Sequence, residues 1–439
     1  MARLERVSVC VVGAGPAGLC AARQLAAHPA AFAFDVFERA DQPGGMWLYT
    51  DRTGTDEHGL PVHSSMYKSL RTNFLQEVMC YPDYPFPEAD DNSYPSHRVV
   101  LQYLQDFAAH FKLHQYIQFN TVVKAVTPRA ADSDKAWSVL LQNLKTKEVF
   151  VKFYDAVMIC SGYNSTPYIP TIMGLEAFKG NIMHCHDYRD PERYKDLTVA
   201  ILGASFSGKD MSLEIATVAK TVYLCHNLTP IEYKMPSNIQ QITSIKEATA
   251  DGFILKDGSS IKVDALLYCT GYKYDLPFLN SECGISVRGK RITHLYRHLI
   301  NIKYPTMALV GIPFIFIPFP FFYYQVAYFL KSLRNPSILP STEEMYESEE
   351  KDFQERLAMG YPPRHAHKMG PLQWEYENTL ADILGIQRIP PMYRELNEIN
   401  TEHMKDFPTF RNYCHKEIYK KKLELSENQF TFNIEDLQL

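Results

Sequence analysis

Val7-Ser-Val-Cys-Val-Val12-Gly13-Ala14-Gly15-Pro16-Ala17-Gly18 is the stretch that decides the fold. Residues 6–12 are a short, largely apolar run that leads straight into glycine, which reads as a buried parallel strand. Residues 16–27 read as a helix that ends before Pro29, and residues 32–37 as a second strand closing at Glu38. Gly18 and Glu38 stand about 20 residues apart, the spacing at which an acid accepts from a ribose hydroxyl. Strand, glycines, helix, strand and acid are in register. Together they form the fingerprint of a dinucleotide-binding unit, in which backbone N–H groups at a helix N-terminus meet a pyrophosphate.

The plan recurs further along the chain. Residues 197–202 read as a strand, Gly203-Ala204-Ser205-Phe206-Ser207-Gly208 as the turn, 209–219 as a helix and 221–225 as the next strand. Two departures stand out. Ser205 replaces the middle glycine, so the backbone approaches a pyrophosphate less freely. The second strand ends in His226 and Asn227 rather than an acid. An acid there would repel a 2′-phosphate, so its absence favours NADPH over NADH, with no arginine beside it to confirm the preference.

An internal repeat supports the pairing. Asp155-Ala-Val-Met-Ile-Cys160-Ser-Gly162-Tyr163 resembles Asp264-Ala-Leu-Leu-Tyr-Cys269-Thr-Gly271-Tyr272, and each closes one nucleotide-binding unit. The expected class is α/β with two Rossmann-like units, the second inserted into the first, an arrangement that resembles glutathione-reductase-like flavoproteins. Residues 1–165 would form the first part of one domain and 166–275 the inserted one. Residues 276–439 would complete the first, with helices over 339–384 and 392–419. Two nucleotide sites in one chain suit hydride transfer from one cofactor to another.

The bulk properties narrow the partners. A chain of 439 residues with net charge −5 has no nucleic-acid footprint, and its one basic run is Lys420-Lys421-Lys422, read as a solvated helix face. Nine cysteines without a CxxC pair argue for a reduced compartment and against a disulfide framework or zinc site. The first strand begins too early to leave room for a signal peptide, so a cytoplasmic or otherwise soluble location is expected. Residues 304–330 carry no charge, but Pro305, Pro313, Pro318 and Pro320 interrupt them. The segment reads as buried core plus an apolar cleft wall; peripheral membrane contact is the alternative, and the tail 424–439 is too polar to anchor. Oligomeric state stays open, a homo-oligomer included.

The chain resembles the flavin-containing monooxygenases across nearly its whole length. Phe178-Lys-Gly180-Asn-Ile-Met-His184-Cys-His-Asp-Tyr188 matches their FxGxxxHxxx pattern. The related Baeyer–Villiger enzymes usually carry tryptophan where this chain has Tyr188. Gly44-Gly45-Met46-Trp47 resembles the family's flavin segment. Tyr67-Lys-Ser-Leu-Arg71-Thr72-Asn73, followed by Met79 to Pro87, is similar to its active-site loop, and Cys269-Thr270-Gly271-Tyr272 to its linker.

The resemblance implies FAD and NADPH as cofactors. FAD contacts would come from Gly13, Ala14, Gly15, Pro16, Ala17, Gly18, Glu38, Gly45, Met46, Trp47, Thr72, Asn73, Phe74, Val123 and Gln325. NADPH contacts would come from Gly203, Ser205, Ser207, Gly208, Lys209 and Asp210. Asn73 is the implied catalytic residue, near the reactive edge of the flavin, because a neutral amide donates and accepts without changing charge. Plainer readings stand beside these: core packing for Trp47, an Asn-turn for Asn73, helix capping for Asp210, a polar residue at a helix start for Gln325 and a structural role for His184.

The implied reaction runs from NADPH through reduced flavin and O2 to a C4a-hydroperoxide. A soft nitrogen or sulfur of a small amine or thioether then takes the distal oxygen, as in detoxification of a xenobiotic or tertiary-amine alkaloid. Baeyer–Villiger oxygenation of ketones and a non-catalytic FAD/NADP redox sensor are the alternatives. The absence of cysteine from residues 46–79 argues against a pyridine nucleotide-disulfide oxidoreductase. Neither a protein nucleophile nor a metal is expected.

Overall fold

The computed structural model describes residues 6–87, 92–425 and 437. Strand β1 (Val7–Val12) runs into the first glycine turn. Helix α1 (Pro16–Ala27) starts with proline at a position where a missing N–H costs nothing, and β2 (Phe32–Phe37) follows. After α2 (His97–His110) and β3 (Ile117–Gln118), an antiparallel meander is formed by β4 (Thr121–Pro128), β5 (Trp137–Asn143) and β6 (Val149–Tyr154). Strand β7 (Ala156–Ile159) then returns beside β1.

The second unit comprises β8 (Asn181–His184), β9 (Thr198–Leu202), α3 (Phe206–Ile215), β10 (Thr221–Cys225) and β11 (Ile239–Ile242). A second meander, β12 (Ile245–Thr249), β13 (Gly252–Leu255) and β14 (Ser260–Lys262), leads to β15 (Ala265–Tyr268). A hairpin of β16 (Ser286–Arg288) and β17 (Arg291–Thr293) precedes β18 (Leu295–Tyr296), β19 (Ile300–Asn301) and β20 (Met307–Leu309). Helices α4 (Pro318–Arg334), α5 (Thr342–Ala358), α6 (Gln373–Leu384), α7 (Pro391–His403) and α8 (Lys416–Leu425) complete the chain.

The first sheet has the order β18-β19-β20-β7-β1-β2-β3, parallel from β20 to β3; the second, β11-β10-β9-β15-β8, is parallel throughout. This is the mixed α/β, Rossmann-like class expected. Each glycine turn follows the strand at which the order reverses: β1 between β7 and β2, β9 between β15 and β10. Open α/β sheets form their ligand crevice at such points, beyond the carboxyl ends of the strands.

The internal repeat has a structural cause. Asp155 Oδ2 accepts from the Ser8 backbone N–H and Asp264 Oδ2 from that of Thr198, both at 2.8 Å. Each aspartate thus ties the start of the closing strand to the start of the strand that carries the glycine turn.

Some boundaries differ from expectation. Helix α3 begins at Phe206 and ends at Ile215, not over 209–219. Residues 339–384 are not one helix: Pro362, Pro363, Gly370 and Pro371 break them into α5, two 3₁₀ turns and α6. Residues 392–419 likewise divide between α7 and α8. Lys420 and Lys421 are exposed on α8. The tail 424–439 lies largely outside the described residues.

Among the described residues, no helix is long and apolar enough to cross a membrane. Helix α4 takes the second half of the uncharged segment, with Pro318 and Pro320 in its first turn. Phe319, Phe321, Tyr323 and Tyr324 are buried, and the rings stack: Phe319 on Tyr81 at 4.9 Å, Phe321 on Tyr376 at 5.0 Å. This aromatic run is therefore mainly core.

Candidate active site

The first glycine turn is made of backbone pressed on backbone. Gly13 has φ +101°, and a Cβ on it would stand 2.7 Å from the Cys160 carbonyl oxygen. A Cβ on Gly18 would overlap the Gly13 carbonyl, so α1 sits directly on the turn. Gly45 reaches the same place from another segment, and Gly44 N–H donates to the Ala14 carbonyl at 3.0 Å. Helix α1 has Gly15 at its N-cap and no side chain bonded there. The glycines at 13, 15, 18 and 45 thus bring backbone close to backbone beside helix N–H groups that lack a side-chain acceptor. Those features fit a pyrophosphate.

Glu38 closes one side of this cradle. It is buried, with Oε2 accepting from Ala14 N at 2.7 Å and Oε1 from Ala40 N at 2.8 Å. Burial raises its pKa, and the backbone N–H groups oppose that rise. Each oxygen retains a further lone pair for a hydroxyl donor. Met46 and Trp47 lie in one 3₁₀ turn, held where Ser64 Oγ donates to the Met46 carbonyl. Val123 is buried on β4, next to a register shift between Val123 and Ala125.

The second turn has the same frame. Gly203 has φ +111°; a Cβ there would overlap the Cys269 carbonyl, and one on Gly208 would overlap that of Gly203. Ser205 occupies the N-cap of α3 and makes no capping bond. Its φ is −80° and it is exposed, so its Cβ faces solvent. Gly15, by contrast, has Gly45 Cα 3.4 Å from where a Cβ would be. The serine is tolerated because its position is open.

Ser207 is half-buried in the first turn of α3. The Lys209 ammonium lies over rings, 5.4 Å from Phe407 and 5.9 Å from Tyr233, and burial lowers its pKa.

Asp210 is engaged by protein side chains. It forms an ion pair with Arg411, Nη1 to Oδ1 at 2.6 Å and Nη2 to Oδ2 at 3.1 Å. Tyr67 Oη donates to Oδ2 as well. Burial, and then Asp210, push the Tyr67 pKa up.

The same guanidinium holds the Asn73 loop: Arg411 Nη2 donates to Asn73 Oδ1 at 2.6 Å and Nε to the Thr72 carbonyl at 3.1 Å. Asn400 Nδ2 donates to the Asn73 carbonyl at 3.0 Å, and Tyr94 Oη to Asn400 Oδ1 at 2.6 Å. Thr72 Oγ1 reaches the Phe74 carbonyl, which tightens the loop at Asn73. Arg411 and Asn400 come from stretches without a recognisable motif, and the sequence carried no signal for either.

Gln325, an implied flavin contact, has partners within the protein, and His184 takes the structural role read from the sequence. Gln325 is fully buried in the middle of α4, not at its start. Its Oε1 accepts from Gly311 N at 2.8 Å and its Nε2 donates to Tyr376 Oη at 2.9 Å. His184 Nδ1 accepts from His186 N, which leaves Nε2 to donate to the Gly271 carbonyl at 3.1 Å. It joins the end of β8 to the linker after β15, a structural task.

The arrangement offers two anion cradles and, bonded across to the second, a loop whose central amide is held in a fixed orientation. Known proteins share this sequence pattern and fold. A flavin-binding monooxygenase-like family model matches residues 6–229 and 233–406. The Arabidopsis thaliana flavin-containing monooxygenase FMO GS-OX5 is 36% identical over 420 residues, covering 90% of this chain and 89% of its own. The S-allyl-L-cysteine S-oxygenase of Allium sativum superposes with a TM-score of 0.88 at 31% identity, over 96% of this chain and 99% of that one. Tmm from Pelagibacter sp. strain HTCC7211 gives 0.83 at 25% identity, over 92% and 93%. On the strength of the shared turns, topology and sequence, the chain belongs to the flavin-binding monooxygenase-like family, a flavoprotein class dependent on FAD and NADPH.

Proposed function

We propose that the protein transfers one atom of O2 to a soft nitrogen or sulfur of a small molecule. The other atom leaves as water, and NADPH becomes NADP⁺. Tertiary amines, alkaloids among them, and thioethers are the proposed substrates. Chain segments 1–165 and 276–439 would build the FAD domain and 166–275 the NADPH domain. The observation that carries the reading is the bonding of the Asn73 loop to the helix of the second glycine turn.

Backbone N–H groups at Gly13 to Ala17 would hold the FAD pyrophosphate, with Glu38 accepting from a ribose hydroxyl and Gly45, Met46 and Trp47 alongside. Gly203, Ser205, Ser207 and Gly208 would hold NADPH. When bound, the two cofactors supply hydride transfer and oxygen activation. The protein supplies orientation. With Asn73 Oδ1 held by Arg411, Nδ2 is the donating end of the amide, and it donates without gaining or losing charge.

Purified protein should be yellow and consume NADPH and O2 with a tertiary amine or thioether, while mass spectrometry finds one added oxygen. A lactone from a cyclic ketone, with no N- or S-oxide, would replace this reading by ketone oxygenation. Flavin that stays oxidised under anaerobic NADPH would reduce the protein to a sensor.

A further inference from the structure

Arg411 makes four side-chain hydrogen bonds that converge from two units. Nε and Nη2 take Thr72 O and Asn73 Oδ1 in the loop, while Nη1 and Nη2 take the two oxygens of Asp210 on α3. Its placement is built, not incidental. The guanidinium carbon lies 4.8 Å from the Phe410 ring and 5.7 Å from that of Phe407. Its own carbonyl accepts from Arg71 Nη2 at 2.7 Å, and Arg71 Nε is anchored on the Tyr94 carbonyl. Phe407 also lies 6.4 Å from Phe206, the first residue of α3. A planar fork fixed in this way serves several acceptors at once, which a lysine ammonium cannot do in the same geometry.

Asp210 poses a problem that Arg411 solves. It is the fifth residue of α3, about 6 Å along the axis from the end that would receive phosphates. A bare carboxylate there would oppose an anionic nucleotide.

We infer that Arg411 is a positioning residue with two separable tasks. It locks the Asn73 amide with Nδ2 as its donating end, and it neutralises Asp210 so that NADPH can bind at the start of α3. The inference rests on the reading of Asn73 and of the second turn given above.

The test uses the holoenzyme and two readouts. Calorimetry gives NADP⁺ affinity without turnover. The fraction of NADPH oxidised that appears as oxygenated product rather than H2O2 gives coupling. Arg411→Met should weaken NADP⁺ about ten-fold, the scale of losing a charge-assisted hydrogen bond, and should divert most turnover to H2O2. Adding Asp210→Asn should restore NADP⁺ affinity to within about two-fold by removing the unpaired charge, yet leave coupling low because Asn73 is still unheld. Arg411→Lys, which keeps the charge and a milder packing change, should hold NADP⁺ affinity while coupling falls.

Recovery of both readouts together, or of neither, in the double variant would overturn the two-task inference. So would wild-type behaviour of both single variants. Melting temperature and bound-FAD absorbance identify a variant that has merely lost its fold, in which case Arg411→Lys decides. If Asn73→Ala itself keeps wild-type coupling, the fault lies in the assignment of Asn73. If that variant is uncoupled and Arg411→Lys is not, the fault lies in the inference about Arg411.

Discussion

Gly45 lies so close to Gly15 that a Cβ on Gly45 would stand 2.8 Å from the Gly15 Cα. Two segments remote in sequence meet there through backbone alone, and the first cradle depends on that contact.

Substitution at the two glycines should therefore be unequal. Gly45→Ala drives a methyl into backbone at φ +58°, whereas Gly15→Ala meets Gly45 Cα at 3.4 Å and needs a small adjustment. Gly45→Ala should lose most of its bound FAD, read as flavin absorbance per protein, and Gly15→Ala less. Ser205→Gly should scarcely alter FAD content.

Gly203→Ala should act on the other cofactor. Its Cβ would overlap the Cys269 carbonyl at φ +111°. NADP⁺ affinity by calorimetry should fall about ten-fold or more, since such strain is on the order of 1–3 kcal/mol, while flavin absorbance stays.

Glu38→Gln should destabilise the protein. The carboxylate accepts from Ala14 N and Ala40 N through different oxygens, and an amide can present an oxygen to only one of them. A buried N–H left facing an NH2 group costs roughly 1–3 kcal/mol. A lowered melting temperature, with weaker FAD retention, is the expected result.

Asn73→Asp should keep the fold, because the new carboxylate pairs with Arg411, but it removes the donating end of the amide. Loss of one preorganised donor costs about 100-fold in rate. Product formation should fall by that order with FAD still bound; unchanged product formation would remove Asn73 from the mechanism.

Acid should destabilise the protein through buried imidazoles. Burial holds His63 down to about 4 and His298 to about 3. His298 Nε2 accepts from Arg356 Nη2 at 3.1 Å, so His298 Nδ1–H points to His367 Nδ1 at 3.0 Å, and both rings are neutral. The unfolded chain binds protons near pH 6.5, well before these rings do. Stability is thus complete above about pH 6.5 and falls as pH drops toward about 4, by on the order of 3 kcal/mol per histidine. Melting temperature against pH should show this limb, and His298→Asn should flatten it.

Both nucleotide units were legible because their signals are local. The glycines answer to neighbours a few residues away, and Asp155 and Asp264 recur because each must satisfy a strand-start N–H. Even the departure at Ser205 has a local cause in its exposure. Arg411 was not legible, because its meaning lies in Asn73, 338 positions away. Lys209 reads from the sequence only as an implied NADPH contact; that its ammonium lies over the rings of Tyr233 and Phe407 depends on residues remote in sequence. The plainer reading of Gln325, a polar residue at a helix start, fails because the prolines before it lie within the first turn of a helix that continues past it.

The return of β20 to β7 has a consequence for biogenesis. The edge of β7 has no partner until roughly 150 further residues have been synthesised, which takes about ten to thirty seconds at ribosomal speed. All five strands of the intervening sheet, β8 to β11 and β15, precede β20 in the chain. A nascent chain stalled before Met307 would therefore present an unprotected apolar strand, Ala156 to Ile159, to chaperones or to other nascent chains.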